Sequence, residues 1–137
     1  MKELPYGFSV DLNLPLDRAI EATREALKSE GFGILTEIDV RTTPKKKIGA
    51  DFQPYVILGA CNPSLAYAAL QDDIDTGLLL PCNVTVREEV DGRTIVSALD
   101  PNVMSRVSPS AGLKEVARLA PEKLERALER VSGQPVG

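Results

Sequence analysis

The sequence predicts an α+β fold, in which a mostly antiparallel five-stranded sheet carries two main helices on one face. Runs that alternate apolar and polar residues predict the strands, and two stretches with apolar residues every 3.6 positions predict the helices. Asp91-Gly92, between two strand-like runs, predicts a tight antiparallel hairpin. The predicted order is strand, helix, four strands, helix, with a short extra helix after strand three. At 137 residues, we expect a single domain over 1–137.

The alternation of apolar and polar residues that begins at Phe8 predicts the first strand, and the first helix is predicted to follow it. Pro15 suits the first turn of a helix, Asp17 favours its positive end, and Gly31 supplies a left-handed stop. A second alternating run, from Ile34 to Val40, predicts the second strand. The lysine-containing segment 42–49 is predicted to be a polar connection.

The chain from Tyr55 to Val86 is the centre of the predicted fold. Tyr55 to Ala60 is apolar at successive positions, which is typical of a central strand covered on both faces. Asn62-Pro63 then predicts a helix start, because Asn is a preferred N-cap and Pro at the next position loses no needed hydrogen bond. We expect this helix to be short and to end at Asp72-Asp73.

The fourth strand is predicted from Gly77 onward. Pro81 lacks a backbone donor, which predicts a bulge there or an edge position for the strand. Its alternation predicts one apolar face and one polar face. The apolar face holds Leu78, Leu80, Cys82, Val84 and Val86, and the polar face holds Asn83, Thr85 and Arg87.

The C-terminal part of the chain is predicted to be irregular from Asn102 to Ser110 and helical after that. Pro121 is expected to kink or restart the last helix, which Gly133 ends. We expect residues 134–137 to fray.

Composition excludes several functional classes. The chain has no histidine, so histidine-based triads, general bases and metal ligands are absent from it. Its net charge of −4 disfavours nucleic acid, and it has no apolar run near the roughly 20 residues of a membrane span. We therefore expect a cytoplasmic protein with reduced cysteines, no cofactor, and neither nucleic acid nor membrane as a partner.

The candidate ligand site lies at Cys61, Asn62, Pro63 and Ser64, where the predicted helix starts. Free N–H groups and the helix dipole favour an anion at such a position. Lys47 is predicted to close over that anion. Because no catalytic constellation is present, the leading hypothesis is a non-enzymatic binding or sensing domain for a small anionic ligand.

The alternative is a thiol-dependent redox enzyme or a soft-metal protein that uses Cys61 and Cys82. A helix start favours a thiolate at Cys61, and Met104 is a conceivable third ligand for copper(I). Both cysteines also fit plain core packing, because unpaired Cys is among the most buried residue types.

The second face of the predicted sheet has no helix to cover it. If its apolar residues are exposed, a dimer that packs sheet against sheet, or that extends the sheet, is expected.

The order of these motifs resembles the DUF302 family, a domain of unknown function. The resemblance rests on Leu58-Gly59-Ala60-Cys61-Asn62-Pro63, the alanine-rich short helix, Gly77 to Val84, the hairpin at Glu89 to Gly92, and Asp100-Pro101. It implies a homodimer with a TATA-binding-protein-like arrangement of strands and helices, and no assigned activity. Other branches of the family keep the Asn-Pro and Leu-Pro pairs while replacing one or both cysteines, so the resemblance weakens the case for a thiol mechanism common to the family.

Overall fold

The computed structural model describes residues 1–133, in which six antiparallel strands form one sheet. The α+β class is confirmed, whereas the prediction of five strands is wrong. The spatial order is β1-β2-β6-β5-β4-β3. The strands are β1 (Lys2–Leu4), β2 (Gly7–Leu12), β3 (Gly33–Asp39), β4 (Tyr55–Cys61), β5 (Cys82–Glu88) and β6 (Thr94–Leu99).

Five α-helices and one 3₁₀ helix accompany the sheet in the described part of the chain. The two long helices, α1 and α5, pack against each other and against one sheet face, and α3 packs on α5. The helices are α1 (Leu16–Ser29), α2 (Thr42–Ile48), α3 (Pro63–Asp72), α4 (Asn102–Val107) and α5 (Ala111–Ser132), with the 3₁₀ helix over Ile74–Leu79.

The hydrophobic core lies between the helices and one face of the four inner strands. Alternate residues of each strand point into it, as the period of two requires. The fully buried members include Leu58 of β4, Val84 of β5 and Val96 of β6, together with Leu124 and Leu128 of α5. Within residues 1–133 the opposite sheet face carries no helix, and we call it the open face.

The sixth strand is β1, whose three residues are too few to show an alternation. The segment 42–49, predicted as a connection, forms α2, where the Asp39 carboxylate accepts from Thr42 N at 3.1 Å. Segment 102–107, predicted as irregular, forms α4. Each of these short helices follows an aspartate, Asp39 or Asp100, whose carboxylate accepts from a nearby backbone N–H. Neither helix has the apolar periodicity from which long helices are predicted.

The predicted fourth strand starts too early. Residues Ile74–Leu79 form the 3₁₀ helix, in which the Asp73 carboxylate accepts from Asp75 N, and Leu78 is 87% exposed. The strand begins only at Cys82 and lies inside the sheet. The expected bulge or edge position is therefore wrong. Pro81 precedes the strand, so its missing N–H removes no ladder hydrogen bond.

The last helix does not restart at Pro121, because α5 runs through it without interruption. The expected fraying of 134–137 lies outside the described residues. Among the helices of residues 1–133, none is both long enough and apolar enough to cross a membrane.

Candidate functional site

The predicted start of α3 is confirmed. Asn62 has an extended backbone, Pro63 is the first helical residue, and the Asn62 side-chain oxygen accepts from Leu65 N at 3.3 Å. Pro63 and Ser64 are exposed. Because Asn62 already engages one of the few free N–H groups of the first turn, this helix start has less to offer an anion than the sequence suggests.

The cavity beside this helix start is small. Its volume is about 20 Å³, and Cys61, Asn62 and Cys82 line it together with apolar side chains of α3 and α5. A cavity of this size accommodates one water-sized group. A ligand of metabolite size does not fit there in this conformation.

Both cysteines border that cavity, and their environment opposes thiolate formation. Cys61 is half-buried and Cys82 is buried. Burial raises the pKa of Cys61, while burial and the neighbouring Cys61 raise the pKa of Cys82 to about 11. A thiolate nucleophile needs the opposite shift.

The soft-metal alternative gains no geometric support from these positions. Met104 is buried in α4 and does not line the cavity that both cysteines border. Within residues 1–133, no three His, Cys, Asp or Glu side chains are grouped so that they could hold a metal ion.

The raised pKa values predict slow alkylation. In the native protein at pH 7, Cys61 should react with iodoacetamide more slowly than free cysteine, and Cys82 should react only after unfolding. The reaction of Cys61 should speed up as the pH rises toward its raised pKa. Peptide mass spectrometry after timed quenching measures each rate. Rapid labelling of Cys61 at pH 6 would contradict this expectation and restore the thiol alternative.

Lys47 lies far from the other predicted ligand residues. It belongs to α2, which follows the end of β3 that pairs with the start of β4, whereas Asn62 follows the other end of β4. The seven residues of β4 therefore separate them, a length of roughly 20 Å. The structure thus brings Cys61, Asn62, Pro63 and Ser64 together and leaves Lys47 at the opposite end of the sheet.

The carboxylate of Asp72 has a defined structural role. Asp72, at the end of α3, accepts from Ser110 Oγ at 2.7 Å and from Gly112 N at 3.2 Å. These bonds hold the pKa of Asp72 below its ordinary range. They join the end of α3 to the start of α5, where Ser110 Oγ accepts from Leu113 N.

The open face divides into two halves of different chemistry. One cross-strand row runs through Lys2, Ser9, Ser97, Thr85, Ile57 and Ile38. On β3 and β4 the face carries Ile38 and Ile57, which we call the apolar half, with Thr36 beyond them. On β5 and β6 it carries Asn83, Thr85, Arg87 and Ser97, which we call the polar half, and the apolar Ile95 and Leu99 flank Ser97 on β6.

A groove of about 260 Å³ lies over the polar half, with Tyr6 and Tyr55 among its lining residues. The Arg87 side chain is 29% exposed, and its Nε donates to Glu89 Oε1 at 2.7 Å. The Ser97 hydroxyl is buried and has no hydrogen-bond partner within residues 1–133. Buried hydroxyls are nearly always paired, so the unpaired hydroxyl of Ser97 is an exception that needs an explanation.

Three larger depressions lie elsewhere on the surface. One, of about 660 Å³, follows the charged outer side of α1 beside Arg130. Another, of about 420 Å³, lies beside Glu3 and Arg106. The third, of about 410 Å³, lies between α2 and Phe52, where Lys45 pairs with Asp51. Long exposed side chains line much of all three, whereas the groove is floored by half-buried residues of the inner strands. The groove is therefore the strongest candidate for a ligand-binding site among these depressions.

Only part of this groove is predictable from the sequence. The alternation of β5 correctly places Asn83, Thr85 and Arg87 on the polar face. Ser97 and Tyr6 were missed, because they join these residues only through the pairing of β6 with β5 and β2. The one local signal was the alternation of Ser97 with its buried neighbours Val96 and Ala98.

Comparison with known proteins supports the predicted family. The family model for "Domain of unknown function DUF302" matches residues 8–131. An uncharacterized conserved DUF302 protein from Bacillus stearothermophilus, known from a crystal structure, is 32% identical. The TM-score is 0.83, with 93% of this chain and 99% of that chain covered. No curated protein matches. The protein belongs to the DUF302 family.

Proposed function

We propose that this protein is a homodimeric binding domain without catalytic activity, which recognises a small anionic ligand. The observation that carries the proposal is the open face of the sheet, where exposed apolar residues lie next to a groove that contains an arginine. Apolar side chains gathered on an uncovered sheet face favour a protein interface. The cavity at Asn62 is too small for a metabolite, so we place the ligand on this face instead.

Packing through the face is favoured over extension of the sheet, because both sheet edges are protected. The edge strand β1 has only three residues. The other edge, β3, has a bulge between Ile34 and Thr36, and it carries Glu37 and Asp39. Short edges, bulges and edge charges are the usual devices that prevent strand pairing between chains.

The apolar half supplies the contact surface of the proposed dimer. Ile38 is 48% exposed. Ile57 lies beside Ile38 in the cross-strand row. A second copy that presents the same surface about a two-fold axis would bury these side chains against one another. Such an interface is isologous, so one substitution alters it from both sides.

The dimer is tested by introducing a charge into the apolar half. Ile38→Lys should raise the dimer dissociation constant by at least about tenfold, because an unpaired charge is costly to bury. The matched control is Val90→Lys at the tip of the β5–β6 hairpin, where the side chain is fully exposed and away from the open face. Native mass spectrometry across a dilution series measures both variants.

Three outcomes would contradict the dimer proposal. A wild-type monomer at every concentration would overturn it. Equal dissociation of the two variants would remove the role of the apolar half, and an undisturbed Ile38→Lys dimer would place the interface elsewhere.

A further inference from the structure

We infer that the groove over the polar half is a binding site for a small monocarboxylate whose carboxylate contacts Arg87 and whose apolar part lies toward Tyr6 and Leu99. This inference rests on the proposed ligand-binding role and gives it a site and a chemical class. Three features carry it: the arginine in the groove, the unpartnered Ser97 hydroxyl, and the apolar residues at the other end.

One ion pair holds the guanidinium of Arg87, and its other N–H groups are available to a ligand in the described part of the chain. Its Nε–H donates to Glu89, and within residues 1–133 its two terminal nitrogens have no hydrogen-bond partner. Tyr55 pairs with Arg87 across the strands, which limits the positions that the side chain can adopt. Two parallel N–H groups in one plane match the two oxygens of a carboxylate.

The charge balance favours a monoanion over a phosphate dianion. Arg87 is the one charged residue that lines the groove in the described part of the chain, and Glu89 already offsets part of its charge. A second negative charge on the ligand would have no cation opposite it. The hydroxyl of Thr85 and the amide of Asn83 add neutral hydrogen-bonding groups, as in sites that orient a ligand by a few polar contacts.

The groove also limits the size of the ligand. Its volume of about 260 Å³ is just below the range of roughly 300 to 1,000 Å³ for drug-sized ligands. From Arg87 to Asn83, four residues along β5, the floor spans about 13 Å. Leu4, Tyr6 and Leu99 border the end away from Arg87, where an aromatic or aliphatic group fits. A one-ring carboxylate with a short chain satisfies both limits.

The test is a titration of the ¹⁵N-labelled protein with phenylacetate, 4-phenylbutyrate and hexanoate, followed by NMR. We expect saturable shifts of the Thr85, Arg87 and Ser97 amide signals at millimolar ligand. The neutral amide of 4-phenylbutyrate should bind at least about tenfold more weakly, because it lacks the charge that Arg87 recognises.

Two variants give the matched comparison. Arg87→Gln should weaken 4-phenylbutyrate binding by at least about tenfold. Arg93→Gln removes an arginine near the same end of the sheet, one that pairs with Asp11 and Asp91 and does not line the groove, and it should leave binding unchanged. Thr85→Val keeps Arg87 and its ion pair, and its expected smaller loss of affinity tests the groove if Arg87→Gln folds poorly.

Several results would overturn the inference. These are the absence of saturable shifts with all three carboxylates, equal binding of the neutral amide, tighter binding of inorganic phosphate, or shifts confined to α2. A dimer that binds none of the carboxylates would overturn this inference and leave the dimer proposal standing, because native mass spectrometry tests the dimer separately.

Discussion

Replacing Gly112 with alanine should lower the free energy of unfolding by about 3 kcal/mol, as expected for a methyl group forced into a closely packed site. A Cβ on Gly112 would lie 2.5 Å from the Cα of Ala69 and 3.1 Å from the Ala68 carbonyl oxygen. Both are backbone atoms of α3, so no side-chain rotation can make room. The start of α5 would have to separate from α3, which would also strain the Asp72 contacts that join them.

Urea unfolding at a fixed protein concentration measures this loss as a shift in the midpoint. The control is Gly133→Ala at the end of the same helix, where a Cβ would lie 3.5 Å from the Glu129 carbonyl oxygen, an ordinary contact. Its stability should change by less than about 0.5 kcal/mol. If Gly112→Ala proved as stable as the wild type, the close approach of α3 and α5 would be disproved.

Leu58→Ala should destabilise the protein by about 3 kcal/mol and lower its melting temperature by roughly 10 °C. The Leu58 side chain is fully buried in the middle of β4, beneath the helices. Its removal leaves a cavity that the neighbouring strands and helices cannot close without losing their own contacts.

The matched control for Leu58 is Leu78→Ala in the 3₁₀ helix. This leucine is 87% exposed, so its loss should change stability by less than about 0.5 kcal/mol. Differential scanning calorimetry of both variants gives the comparison. Similar melting temperatures for the two would contradict the burial assigned to β4.

Local chemistry was enough to predict much of this fold. Asn62-Pro63 marks a helix start because both residues satisfy the same backbone requirements, and Asp91-Gly92 marks the hairpin that joins β5 to β6, where Gly92 has a φ of +89°. Leu58 and its neighbours indicate a covered strand by their unbroken apolar run. Each of these signals lies within a few residues, so the sequence shows it directly.

Other features depend on contacts that no local pattern contains. β1 forms a strand because it pairs with β2, as Lys2 does with Ser9. Leu78 fits the apolar face of a strand by spacing, yet Asp73 caps a 3₁₀ helix there. The groove is even less local, because it joins residues of β1, β2, β4, β5 and β6 that meet only in the assembled sheet. The family prediction succeeded because it depended on the order of motifs along the chain.

The pairing of β2 with β6 has a consequence for the newly made chain. Gly7 pairs with Leu99, so β2 must wait until roughly ninety further residues have been synthesised before its partner exists. At 5 to 20 residues per second, the delay is about 5 to 20 s. During that time the apolar side chains of Phe8, Val10 and Leu12 have no sheet to join. On the ribosome, β2 therefore waits far longer for its partner than β5, whose partner β6 follows within about ten residues.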